Sequence, residues 1–293
     1  MENQVEYSEL VTADPSVNPD FSTAPSSDAE QTEIGRRIVI AILALVTWAV
    51  SVVFIAIIPA LFLYPYLASK GIPLSDGSQI VEFAKNDQNA IFLQIIAIIP
   101  AHLLTILLAW LVVSQGRKYK FLKTLGWEKG GVRWWHYCFI LVAFVFVGAL
   151  VGSLYPEQDN DLIRMLRSSR SAVYIIAIVA TFSAPFIEEV IYRGVLFSGF
   201  KRAFGVPVSF VLVTGLFALV HVPQYYPSYS TIFLLTLLSL TLTGLRVYSN
   251  NLLPCVILHT IFNGFQSIML IVEPYLGTPE PADPATILNH LLK

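Results

Sequence analysis

Between Arg37 and Lys70 the chain carries no charged residue, running through "IVIAILALVTWAVSVVFIAIIPALFLYPYL" at 38–67. A helix that crosses a bilayer needs only about 20 apolar residues in succession, and core strands are far shorter. Six further apolar segments follow, at about 91–113, 134–154, 172–200, 206–223, 230–248 and 252–273. Only 13% of the residues are charged, against roughly 25% in a soluble domain. The predicted fold is therefore all-α: a polytopic transmembrane helix bundle of about seven helices, or eight, in a multi-pass membrane protein. The lipid bilayer is one expected partner. A net charge of -2 with no concentrated basic face gives no nucleic-acid footprint.

Residues 1–35 differ in composition. "TADPSVNPDFSTAPSSDAEQTE" is acidic, polar and rich in proline, and no lysine or arginine precedes Arg36. Such a stretch buries too little apolar surface to order itself, so a disordered tail is predicted, and the basic n-region of a signal peptide is missing. The expected organisation is this tail at 1–35, a first group of membrane helices at 36–171, a helical core at 172–273 and a carboxyl-terminal tail at 274–293. Arg117, Lys118, Lys120, Lys123, Lys129 and Arg133 make the densest basic loop. The positive-inside rule places it, and with it the amino terminus, in the cytoplasm. Arg164, Arg167 and Arg170 fall on the other side and oppose that orientation, with Glu157, Asp159 and Asp161 nearby. Trp134, Trp135 and Tyr137, and Tyr64 with Tyr66, fit interfacial anchors. Cys138 and Cys255 lie in apolar runs without paired spacing and read as small buried hydrophobes. "FGVP" at 204–207 reads as a turn.

Three polar patterns interrupt the apolar second half: Glu188, Glu189 and Arg193; Phe217 and His221; His259 and Asn263. In each, a spacing of four stacks two members on one helical face. A charged side chain at bilayer depth costs at least about 2.5–3.5 kcal/mol, so two adjacent carboxylates demand compensation. Arg193 offsets Glu189, one turn away. Glu188 points about 100° around the helix and needs water, a cation, a shared proton or the imidazoles of His221 and His259. Each solution is a polar intramembrane cavity. Pro185, just before the glutamates, removes an intrahelical bond and is expected to free backbone carbonyls towards it.

A glutamate beside imidazoles can take a proton from water, and histidine and asparagine can donate to an oxyanion. Two histidines and a glutamate also make a plausible zinc set with a position left for water. No serine or cysteine stands in the patterns as a nucleophile, which favours hydrolysis by water. Blander readings stand beside these. Glu189 with Arg193 is also an ordinary helix pair, Asn263 an interhelical hydrogen bonder, and His102, with no polar partner four residues away, a structural histidine. Phe217 reads as cavity wall, His136 as an interface residue, and His290 lies in the polar tail. A proton-coupled transporter also uses intramembrane Glu and His, but no internal repeat supports it. A silent membrane scaffold is the third reading, although all three patterns are intact.

The ordered set EExxxR, FxxxH and HxxxN on successive spans resembles the CPBP family of intramembrane proteases. That family includes type II CAAX prenyl endopeptidases and bacterial abortive-infection membrane proteins. The resemblance covers roughly residues 172–273, and "APFIEEVIYRG" matches the family's first motif, with Tyr192 where many members have Phe. It implies an intramembrane endopeptidase acting on a peptide or protein, with prenylated carboxyl-terminal motifs as a family precedent. It implies Glu188 as the water-activating base assisted by His221, Glu189 and Arg193 as supports, and His259 and Asn263 as oxyanion donors. Both a metal-free glutamate protease and a metalloprotease, with zinc on Glu188, His221 and His259, are compatible with these residues.

Overall fold

The computed structural model describes residues 27–156, 158, 166, 170–272 and 275. Helix α1 (Ser27–Ser69) leads to a short amphipathic α2 (Gly77–Asn86), then α3 (Gln88–Ser114), the small α4 (Phe121–Leu125) and α5 (Trp134–Leu154). The second half begins with α6 (Arg170–Ile178), a π-turn at Val179–Ser183, α7 (Ala184–Glu189) and a second π-turn at Val190–Leu196. It ends with α8 (Phe197–Tyr225), α9 (Tyr229–Ser249) and α10 (Leu253–Val272). The protein is an all-α bundle. Six helical stretches are long and apolar enough to cross a membrane, and the longest is the 56-residue run Arg170–Tyr225.

That run cannot be straight. Tyr192 and Phe217 are 25 positions apart, or about 38 Å on one helix, yet their ring centroids lie 5.0 Å apart. The chain doubles back at Gly205, whose φ of 77° and ψ of 176° suit a residue without Cβ. The predicted turn at 204–207 is this reversal, and the six long stretches thereby contain the seven apolar segments of the sequence. Glu188 and His221 stand nearly equidistant from Gly205 along the chain, one before and one after it, and so at the same level of the bundle.

The main core joins α1 (Ala41, Ala44), α3 (Ala109), the second π-turn and both legs of α8 (Phe197, Phe200, Val213, Phe217). Gly199 makes the tightest approach, since a Cβ there would stand 2.6 Å from that of Ala44. A second core joins α5, α9 and α10 through Tyr137, Leu242, Leu245, Leu258 and Phe262. At one end the basic α3–α5 loop closes the bundle, with Leu252 N–H donating to Gly126 O at 2.7 Å and Leu125 packed beside Gly194.

Two expectations need correction. The helix begins at Ser27, so residues 27–35 belong to α1, where Glu33 pairs with Arg36 and Arg37 at 2.9 and 3.1 Å one turn on. The rest of the tail, the acidic residues and arginines of 157–167, and His290 lie outside the described residues. Cys138 is exposed, and only Cys255 is buried. The reason is that α5 is peripheral: Phe139, Val142 and Phe146 are also exposed, as an apolar face turned to lipid should be. Arg170, at the start of α6, donates to the Tyr275 hydroxyl at 2.8 Å.

Candidate active site

Pro185 shapes the backbone around the glutamates. Ala184 N–H reaches back five residues to Val179 O. Pro185 has no N–H to offer the next carbonyl, Ala180 O. That carbonyl is left without a helical donor, and Asn263 Nδ2–H of α10 fills the vacancy at 2.8 Å. Thr181 and Ser267 add a second tie between the same elements at 3.0 Å. The second π-turn repeats the device. Phe197 N–H bonds Tyr192 O, the following carbonyl is passed over where α-geometry resumes, and Arg246 Nε–H of α9 donates to that atom, Arg193 O, at 3.3 Å. The six-residue α7 that carries Glu188 and Glu189 is thus bracketed by two π-turns, a distortion common at functional sites.

Glu189 and Arg193 are sealed completely, each 0% exposed. Arg193 Nη1–H donates to Glu189 Oε1 at 2.9 Å. Its other donors reach α9: Ser239 Oγ at 2.8 Å, Ser239 O at 3.0 Å and Thr243 Oγ1 at 3.4 Å. The guanidinium also lies over the Phe217 ring at 4.9 Å. The same Glu189 Oε1 accepts from His259 Nδ1 at 2.8 Å, while Oε2 has no hydrogen-bond partner among the described residues. The carboxylate therefore supports His259 as well as Arg193, a function that spacing alone did not reveal.

Glu188 has the other fate. Its side chain is 25% exposed, and Oε2 stands 3.8 Å from His259 Nε2. That gap is too long for a direct hydrogen bond and suits a bridging water. His221 is half-buried, and its Nδ1–H donates to Phe217 O at 2.7 Å, which leaves Nε2 as the acceptor in the neutral ring. Phe217, 1% exposed, is the wall expected of it, packed between His221 at 4.6 Å and His259 at 6.2 Å between centroids.

Glu188, Glu189, Arg193 and His259 are thus brought into one cluster, with His221 joined to it across Phe217. Asn263 lies one turn beyond His259, one amide N–H committed to Ala180 O. No three His, Cys, Asp or Glu side chains among the described residues are grouped to hold a metal ion. The donor atoms of Glu188, His221 and His259 are chemically suited to zinc, but as placed they do not form a ligand set. Two residues of the site were not anticipated. Arg246, 7% exposed inside an apolar span, was detectable only as a charge at membrane depth. His102 of α3 is bonded to Ser183 Oγ at 2.6 Å, a pairing that no local spacing could announce.

Comparison with curated proteins and with solved structures gives no match. Residues 170–265, which hold Glu188, Glu189, Arg193, His221, His259 and Asn263, match the family model of Rce1-like type II CAAX prenyl endopeptidases, and in this stretch the chain is similar to that family of intramembrane proteases.

Proposed function

We propose that the protein is an intramembrane endopeptidase in which Glu188 activates the attacking water. The observation that carries this reading is the contrast inside the cluster: Glu188 is a quarter exposed and lies 3.8 Å from His259 Nε2, while everything behind it is sealed. A water between these atoms and the free Nε2 of His221 gives up a proton to Glu188 as its oxygen bonds to the peptide carbonyl carbon. The oxyanion that forms takes hydrogen bonds from protonated His259 Nε2–H and from the second N–H of Asn263. Glu189, bonded to His259 Nδ1, stabilises that imidazolium. Collapse of the intermediate breaks the C–N bond, and Glu188 returns the proton to the leaving amine.

The substrate in this reading is a peptide or protein entering from the bilayer, with lipid-modified carboxyl-terminal peptides as the first to test. The basic α3–α5 loop and the amino terminus face the cytoplasm. In the decisive experiment the purified chain in proteoliposomes is incubated with prenylated and unmodified peptides, beside Glu188→Gln and His221→Ala. Cleavage that falls about 10³-fold in Glu188→Gln supports the mechanism. Undiminished cleavage refutes the role of Glu188, and solute flux that needs Glu188 without cleavage replaces the protease reading with transport.

A further inference from the structure

His102 stands outside every motif and outside the matched domain, yet it is buried among the site elements at 7% exposure. Its Nδ1 shares a 2.6 Å hydrogen bond with Ser183 Oγ, across 81 residues of sequence. Ser183 is the last residue of the π-turn that Pro185 creates just ahead of Glu188. That turn is tied to α10 twice, by Asn263 to Ala180 O and by Thr181 to Ser267. The hydrogen bond of His102 ties it to α3. A buried imidazole is a costly choice for a purely structural bond that a smaller hydroxyl could make.

We infer that His102 is a positioning residue for the reaction proposed above: through Ser183 it pins the π-turn from the α3 side and so holds Glu188 at its working position. Without that bond only apolar packing, such as that of Ile91 and Ile95 on Ala172, ties α3 to this segment, and a displacement of about 1 Å at the reacting carboxylate is enough to cost on the order of 10²-fold in rate. The inference rests on the protease reading for its kinetic consequences but not for its geometry.

The test uses the full-length chain in proteoliposomes with His102→Ala, His102→Asn, Ser183→Ala and the double alanine variant. An asparagine amide occupies the place of Nδ1, so His102→Asn keeps the bond to Ser183 and is expected within about threefold of the native kcat, whereas His102→Ala loses about tenfold or more with KM changed less than about twofold. Ser183→Ala is expected to match His102→Ala, and the double variant to lose no more than either single one, because the two act as a unit. The second readout needs no cleavage: the rate at which dicyclohexylcarbodiimide modifies Glu188, mapped by peptide mass. His102→Ala and Ser183→Ala are expected to raise it about threefold or more, and His102→Asn to leave it unchanged, as befits a held carboxyl that has been released. Native labelling in His102→Ala overturns the inference whether or not the protein cleaves anything. So do losses in the two single variants that multiply in the double. If the native chain cleaves no peptide but labelling follows the expected order, the protease reading falls and the positioning role stands.

Discussion

Arg193→Met is the most revealing single change to the buried cluster. The guanidinium is 0% exposed and donates to Glu189, to both oxygens of Ser239 and to Thr243. Methionine fills much of the volume but leaves the sealed Glu189 with His259 as its one remaining partner among the described residues. Removing one member of a buried ion pair costs about 3–5 kcal/mol, because the survivor stays charged without compensation. Loss of the cation over the Phe217 ring, 4.9 Å away, adds about 1 kcal/mol. Glu189→Gln in the same chain should then restore about 2 kcal/mol or more, since a neutral amide still accepts from His259 and no charge is stranded. Activity should not return, because in the proposed reaction the His259 ring has lost the carboxylate that supports it at Nδ1. Reversible unfolding in mixed micelles, followed against the fraction of SDS, measures all three proteins. The reasoning is refuted if Arg193→Met unfolds at the native midpoint, or if the double variant is no more stable than the single one.

Four shorter expectations follow from the same geometry. Pro185→Ala restores an N–H that can bond Ala180 O, so the melting temperature should hold or rise while cleavage drops at least about tenfold, measured on one preparation. Asn263→Asp sets a carboxylate against Ala180 O and should cost about 1–3 kcal/mol more than Asn263→Ala in the SDS titration. Gly199→Ala brings a Cβ to 2.6 Å from the Cβ of Ala44, so α1 must shift, with a loss of about 1–3 kcal/mol read by thermal unfolding. Because Glu188, His221 and His259 do not converge as ligands, metal chelators should leave cleavage of the test peptide unchanged, and inhibition that added zinc reverses would contradict this.

The membrane helices and the three patterned faces were legible because both signals are local: run length, and a spacing of four on one helix. What escaped is non-local. Nothing near His102 in sequence announces Ser183, since the partner belongs to another helix. Arg246 has no acidic neighbour at helical spacing, and its Nε bond is to a carbonyl that exists as an acceptor only because Val190–Leu196 is a π-turn. Pro185 foretold a freed carbonyl but not that Asn263 would take it. The depth at which Glu188 and His221 meet was hidden for a related reason: two apolar segments read as separate spans are legs of one run, folded at a glycine whose backbone angles a composition profile cannot display.

The same run also explains why two adjacent, identical side chains meet different surroundings and are given different roles in the proposed reaction. A step of one residue turns the helix by about 100°, which directs Glu189 towards α9 and α10 and Glu188 towards the open part of the pocket. Glu189 is clamped by Arg193 and His259 and 0% exposed, so substrate cannot reach it, and its charge serves to hold the ring of His259. Glu188 has no clamp. Among the described residues its ion-pair contact is with His259 Nε2 at 3.8 Å, a distance that leaves its lone pairs free for a bridging water. A base needs that freedom, and a support must lack it. Exchanging the two environments would require rotating α7 by most of a third of a turn, which the bonds of Asn263 and His102 to the π-turn on one side, and of Arg246 to the π-turn on the other, forbid.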